Sequence, residues 1–410
     1  MYNIRKEITC FHKKQVIIMR KKVFFMSYVY KLRGRIDSGN AGKWEEELLA
    51  EQKAHGALSL DAGELEYISS AGLRVLLKLR KQQDTLDVFE VSPAIYEIFS
   101  TTGFTDLLNV RERLRRISVE GCQLIGKGGN GSVYRISEDE IIKVYTAKTP
   151  VESIDSERAL ARSAFVAGVP TAIPYDMVKV GDSYGIVFEM VKADVIAQKF
   201  MNEPEHFDAY AEKYAELFKT IHAVNLAGKG LPSTSQIYLS DLSRLGGWYD
   251  EKEMDRLKWF IEQIPQRDTM VHGDFHTNNI MVQGDELLII DMAEISCGNP
   301  IFDLASSYYA HMLNPRQDPG SVMKYLNVTP EIAMRLWSVM ISRYFETDDP
   351  EKIERYNAII EGFCLLKGAL IPAIWVNMPE EQKKAAVAAA RKYFFPQMER
   401  LLEGLHDMGL

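Results

Sequence analysis

From residue 271 the chain reads VHGDFHTNNIMV, and after a polar turn an apolar run, LLII, ends in the carboxylate of Asp291. No other feature limits the fold as much. Asp274 and Asn279 stand five residues apart, close enough in a loop for both side chains to reach one site, and Asp291 follows Asn279 by twelve residues at a strand-like end. Two of these side chains offer hard oxygen ligands of the kind Mg²⁺ prefers, and a carboxylate remains to accept a proton. A fold that accepts the pattern must bring a loop and a strand end together.

Upstream, Gly126, Gly128, Gly129 and Gly131, followed by Ser132 and Val133, satisfy G-x-G-x-x-G-x-V, in which bare glycines let backbone N–H groups approach nucleotide phosphates. A dinucleotide site would need a helix directly after the glycines. SVYRISEDEIIKVY is instead rich in β-branched and aromatic residues around a polar turn, which predicts a hairpin. Lys143 then falls on the returning strand, where its charge can meet the α- and β-phosphates. Glu157, with Glu152 as the alternative, supplies a helix carboxylate to hold that lysine. The set matches the needs of phosphoryl transfer: a base for the acceptor hydroxyl, oxygen ligands for Mg²⁺ and a cation on the nucleotide.

With 410 residues the chain has room for at least two cores. From Tyr28 to about Val110, strand-like YVYKLRGRI, ALSLDAG and LDVFEV alternate with the helical patterns AGKWEEELLAEQ, AGLRVLLKLRKQ and SPAIYEIFSTTG, predicting a small α/β domain over 26–110. The charged RERLRR places a linker at 111–119. A larger domain follows over 120–410, with a β-rich lobe at about 120–192 and a helical lobe at about 193–410. Residues 1–25 carry seven Lys/Arg and only four-residue apolar runs, too short for a signal-peptide core or a membrane span. They read as an extension, either a tail or a mis-chosen translation start before Met26.

A net charge of −8 gives no basic field for nucleic acid, and four scattered cysteines indicate neither a disulfide framework nor a zinc site. The apolar stretch 358–377 is interrupted by Glu361, Lys367 and Pro372, so it predicts buried helices rather than a span. A soluble cytoplasmic protein with no nucleic-acid or membrane partner is expected.

GKGGNGSVYRI, IIKVY, VHGDFHTNNIMV and IIDMAEISCGNPIFDLA together resemble the aminoglycoside phosphotransferase and choline kinase superfamily, over roughly residues 120–400. The resemblance implies an α+β bilobal protein-kinase-like domain that uses ATP and Mg²⁺. It implies Asp274 as catalytic base, Asn279 and Asp291 as metal ligands, Lys143 and Glu157 as an ion pair, and Glu189 to Val191 as the adenine-binding hinge. Asp303 then bonds catalytic-loop backbone groups, and His272 and His276 orient that loop, while His222 on LFKTIHAV reads as a packed core histidine. Only eleven residues separate Asp291 from Asp303, with no A-P-E motif after them, so the peptide-docking segment of protein kinases is missing. A small hydroxylated acceptor, held by helices between about 195 and 260 and after 330, is expected. Glu203, Glu205, Asp349 and Glu351 are acidic residues of those regions that could attract a cation or simply be solvated.

Through LRGRIDSGNA, LSLDAGELEYISSAGLRVLL and VSPAIYEIFSTTGFTDLLNV, residues 28–110 resemble the STAS domain of anti-sigma-factor antagonists. That resemblance implies a protein partner and a regulatory serine, which falls on Ser70. Ser69 stands where signalling members usually carry Asp, so Ser69 and Ser70 acting as helix N-caps is an equal alternative.

Overall fold

The computed structural model describes residues 28–127, 131–228, 230–375 and 377–410. The expected extension at 1–25 and the candidate phosphate-loop glycines Gly128 and Gly129 lie outside these residues. The chain divides into two compact units between Ser118 and Val119.

In the first unit strands β1 (Tyr28–Ile36), β2 (Leu58–Ile68), β3 (Asp87–Val91) and β4 (Asn109–Glu112) form one sheet in chain order, every neighbouring pair parallel. Parallel neighbours need crossovers, and three helices provide them: α1 (Ala41–His55), α2 (Ser70–Arg80) and α3 (Pro93–Thr101). Helix α2 buries Leu73, Leu76 and Leu79, a stripe at helical spacing, in a core with Leu32, Ile36, Leu60, Val88 and Phe99. The charged run read as a linker begins too early, because Arg111 and Glu112 extend β4 and Glu112 pairs with Val91. An edge strand tolerates such charges, since one side of it faces water.

The second unit opens with an antiparallel sheet ordered β5-β6-β7-β9-β8, formed by β5 (Gln123–Lys127), β6 (Gly131–Arg135), β7 (Glu140–Tyr145), β8 (Pro174–Val180) and β9 (Ser183–Glu189). Helix α4 (Val151–Val166) packs against β8 and β9. The chain then passes through β10 (Asp194–Val195), α5 (Ile196–Asn202), α6 (Phe207–Ala223), α7 (Thr234–Leu242) and α8 (Glu251–Gln263). Two short antiparallel pairings follow: β11 (Met270–Val271) with β14 (Ser296–Cys297), and β12 (Ile280–Gln283) with β13 (Glu286–Ile289). Helices α9 (Ile301–Tyr308), α10 (Asn314–Gln317), α11 (Pro319–Leu326), α12 (Pro330–Tyr344), α13 (Pro350–Ala369), α14 (Ile371–Ile374), α15 (Glu380–Ala389) and α16 (Met398–Asp407) complete the unit. One large apolar core joins them, with Tyr214, Phe218, Phe260, Phe275, Trp337 and Phe394 among its largest members. Among the described residues no helix is long and apolar enough to cross a membrane, and 358–377 holds the end of α13 and the short α14.

Candidate active site

Strand β11 delivers the chain into the loop 272–276, which tightens into a helical turn at Thr277–Asn279 before β12 begins. The β12–β13 hairpin, in register from Ile280↔Ile289 to Gln283↔Glu286, then folds the chain back on itself. The Ile290 N–H donates to the Asn279 carbonyl at 2.8 Å, so the backbone leading to Asp291 returns beside Asn279. Eleven residues of sequence are closed by one hydrogen bond in space.

Asp274 sits at the centre of this turn. Its Oδ1 accepts from the Tyr325 hydroxyl at 2.8 Å, while Oδ2 accepts from Asn279 Nδ2 at 3.2 Å and faces His276 Nε2 at 3.3 Å. Burial would raise the carboxyl, but the adjacent His276 ring and the hydrogen bond from Tyr325 hold it well below the usual carboxylate range. Asp274 is therefore an anion at neutral pH, as a proton acceptor must be.

The loop hangs from α9. Asp303, fully buried, accepts the N–H groups of His272 and Gly273 on its two oxygens, both at 2.6 Å. Ser306 Oγ donates to the Gly273 carbonyl at 3.2 Å and Ser307 Oγ to the Phe275 carbonyl at 3.0 Å. Residues i, i+3 and i+4 of one helix thus satisfy four backbone groups of the loop. Gly273 has φ +84°, and a Cβ there would stand 2.9 Å from Glu294 Cβ, so only glycine fits. His272 is buried, and burial lowers its pKa; its Nδ1 accepts the Asp274 N–H at 3.3 Å.

Lys143, paired with Val133 and Ile186 in the sheet, extends to Glu157 Oε1 at 2.7 Å and to Asp291 Oδ1 at 3.0 Å. Burial opposes its charge, but Asp291 and Glu157 more than compensate and raise the ammonium above its ordinary value. Between the two helix carboxylates weighed from the sequence, Glu157 makes this contact. Of the glycine-rich stretch, Gly126 lies in β5 and Ser132 pairs with Lys127 and Val144, whereas Gly131 is sterically committed: a Cβ there would fall 2.1 Å from the Val144 carbonyl oxygen. Glu189 ends β9 and pairs with Glu140, and the chain leaves the sheet through Val191, whose carbonyl accepts the Ala193 N–H at 3.0 Å.

Among the described residues no group of three His, Cys, Asp or Glu side chains is gathered for a metal. Asn279 and Asp291, the ligands the resemblance implies, are brought near each other by the Ile290–Asn279 backbone hydrogen bond. Asn279 spends its amide N–H on the Asp274 carbonyl at 2.9 Å and on Oδ2, which leaves its oxygen as the free end, and an amide oxygen with a carboxylate suits Mg²⁺.

Three participants were not legible. His222, expected as core packing, is buried but also joins Asp303 Oδ2 through Nε2 at 3.1 Å and Tyr344 Oη through Nδ1 at 2.9 Å. A histidine inside an apolar stripe was the available signal. Tyr325 and Glu294 gave none. Glu294, crowded by protein though half open to solvent, is raised to about 7, first by burial, against the Lys367 ammonium and with the carboxylates of Asp274, Asp291 and Asp303. The acidic residues considered for an acceptor serve elsewhere: Glu203 binds Lys199 and Tyr210, Asp349 caps α13, and Glu205 and Glu351 are exposed.

Residues 121–335 match the profile of the phosphotransferase enzyme family and residues 18–117 that of the STAS domain. The candidate anti-sigma factor antagonist BtrV of Bordetella bronchiseptica is 42% identical over 84 residues, 19% of this chain and 72% of that protein. The anti-sigma-B factor antagonist of Listeria monocytogenes is 32% identical over 83 residues, 19% of this chain and 73% of that one. Similar solved structures include a streptomycin–ATP complex of APH(2")-IIa, 15% identical over 68% of this chain and 92% of that one at a TM-score of 0.44. A choline/ethanolamine kinase family protein from Mesorhizobium loti is 15% identical over 69% and 92% at a TM-score of 0.43. The chain belongs to the phosphotransferase enzyme family and carries a STAS domain ahead of its phosphotransferase domain.

Proposed function

We propose that the second unit transfers the γ-phosphoryl group of ATP to a hydroxyl of a small molecule in the cytoplasm, and that the STAS domain regulates it or recruits a protein partner. One observation carries the reading: an ionised Asp274 shares a hydrogen-bonded turn with Asn279, while the β12–β13 hairpin returns Asp291 to the same place. Asp274 takes the proton of the acceptor hydroxyl as its oxygen bonds to the γ-phosphorus, and the bond from that phosphorus to the departing ADP oxygen breaks. Asn279 and Asp291 would hold Mg²⁺, whose charge offsets that of the phosphates. Lys143, fixed by Glu157, meets the α- and β-phosphates, Gly126, Gly131 and Ser132 on the flanking strands offer them backbone, and Glu189 and Val191 offer backbone groups to the adenine. Helix α9 begins only ten residues after Asp291, leaving no long segment there for a peptide, which favours a small acceptor.

The test is ADP release with Mg·ATP over a panel of aminoglycosides, choline and sugars, with Asp274→Ala as the blank. Nucleotide-dependent product above the blank supports the reading; no nucleotide binding and no turnover would sink it.

A second reading rests on one contact. Ser69 Oγ caps α2 by accepting the N–H groups of Ala71 at 3.2 Å and Gly72 at 3.4 Å, which leaves the neighbouring Ser70 exposed with its hydroxyl uncommitted to the cap. The kinase-like domain would then phosphorylate Ser70, in the same molecule or another. Intact mass and phosphosites after incubation with Mg·ATP, beside Ser70→Ala and Asp274→Ala, decide it: no phosphate on Ser70 removes this reading.

A further inference from the structure

The two oxygens of Asp274 are not equivalent. Oδ2 is committed within the loop, to Asn279 Nδ2 at 3.2 Å and beside His276 Nε2 at 3.3 Å. Oδ1 receives its hydrogen bond from outside the loop, from the hydroxyl of Tyr325, 51 residues downstream on α11, at 2.8 Å. An O–H group donating to the base at this distance is the contact that an acceptor alcohol must make before it can be deprotonated. The phenol thus makes the contact with Oδ1 that the hydroxyl of the proposed acceptor would make.

The C-terminal end of α11 is held against the catalytic turn. Thr277 Oγ1 donates to the Leu326 carbonyl at 2.6 Å and Asn278 Nδ2 donates to the Tyr325 carbonyl, so the C-terminal end of the helix is tied to the catalytic turn through its backbone. The Tyr325 ring leans on His276 with centroids 4.7 Å apart and is half-buried. Neither backbone contact involves the hydroxyl, so displacing it from Oδ1 leaves both in place.

Resting on the phosphotransfer reading above, we infer that Tyr325 is a positioning residue that holds the acceptor's place on Asp274 Oδ1 until an acceptor hydroxyl displaces it. Without an acceptor, the phenol keeps water from the oxygen best placed to activate it, which restrains wasteful hydrolysis of ATP. Deleting only the hydroxyl leaves room beside Oδ1 for about one water molecule with a carboxylate to orient it. A residue that merely steadied Asp274 would have the opposite signature, because losing it would slow every reaction of the base.

The experiment compares acceptor-free hydrolysis of saturating Mg·ATP by the full chain as wild type, Tyr325→Phe, Tyr325→Leu and Asp274→Ala, with binding of a fluorescent ATP analogue measured on each. Phe keeps the ring on His276, and equal nucleotide binding shows that the domain is intact; Leu removes ring and hydroxyl together. The expected result is hydrolysis raised roughly tenfold in Tyr325→Phe, the factor that one charge-assisted hydrogen bond commands, with Tyr325→Leu also raised and binding unchanged. Hydrolysis that falls or stays level in both Tyr325 variants, while wild type still exceeds Asp274→Ala, overturns the inference and leaves the phosphotransfer reading standing. Hydrolysis no greater in the Tyr325 variants than in Asp274→Ala overturns the inference alone, whereas failure of the wild type to bind the ATP analogue overturns the phosphotransfer reading with it.

Discussion

The turn around Asp274 and the turn at Ser69–Ser70 are both short polar segments entering helical geometry, yet they are built in opposite ways. At Asp274 both carboxylate oxygens are engaged by side chains, and the backbone is suspended from Asp303, Ser306 and Ser307. At Ser70 the hydroxyl is exposed and the capping work falls to its neighbour. The carboxylate proposed as the base is immobilised from behind, whereas the serine proposed as a modification site is left reachable.

Substitutions can break this contrast in order of expected size. Asp274→Ala should lower Mg·ATP-dependent phosphate transfer by about a thousandfold, the scale of a general base, in a steady-state ADP assay. Next comes the suspension: Asp303→Ala leaves the N–H groups of His272 and Gly273, and His222, without their acceptor and should cost about 3 kcal/mol in chemical denaturation of the second unit.

The same frame should weaken in acid. His311 is buried behind the loop, with Nδ1 at 2.8 Å from the Ser307 carbonyl, and burial lowers its pKa from 6.5 to about 4. The unfolded chain takes up that proton below about 6.5 and the folded one only near 4, so its contribution is full above that window and is lost as pH falls through it. His311→Gln should flatten this slope, measured as denaturation midpoints at pH 7 and 4.5. In the first unit Gly72→Ala would force a Cβ to 2.7 Å from Ile68 Cγ1 and 2.8 Å from Ile36 Cγ2, costing about 2 kcal/mol by hydrogen exchange of α2 and β1. Smallest are the serines: Ser69→Ala should remove about 1 kcal/mol with the cap, and Ser70→Ala less than about 0.5 kcal/mol, read by the same exchange. A Ser70→Ala cost above that of Ser69→Ala would mean that the exposed hydroxyl is structural and the contrast false.

How much could be read in the sequence follows from the range of the interactions. The β6–β7 hairpin, the α2 stripe and the spacing of Asp274, Asn279 and Asp291 are local patterns, and the chain displays them directly. The strand character of Arg111 and Glu112 was hidden because their charges look like a linker and only pairing with β3 makes them a strand. Strand β8, PYDMVKV, lacks clean alternation and is defined by β9 beside it. Tyr325 reaches Asp274 across 51 residues and His222 reaches Asp303 across 81, so no periodicity announces either. What the sequence conceals is the outer shell of the site, because that shell is made of contacts between distant elements.

The first unit's sheet is laid down in the order in which its strands occur. During synthesis each strand can therefore dock on the one already made, and the sheet is complete once Glu112 has emerged. The site around Asp274 must wait for Tyr325, and at ordinary elongation rates that gap lasts roughly 10 to 40 s. A nascent chain thus presents a finished STAS domain to its surroundings for many seconds before the phosphotransferase site exists, time enough for a partner to bind on the ribosome.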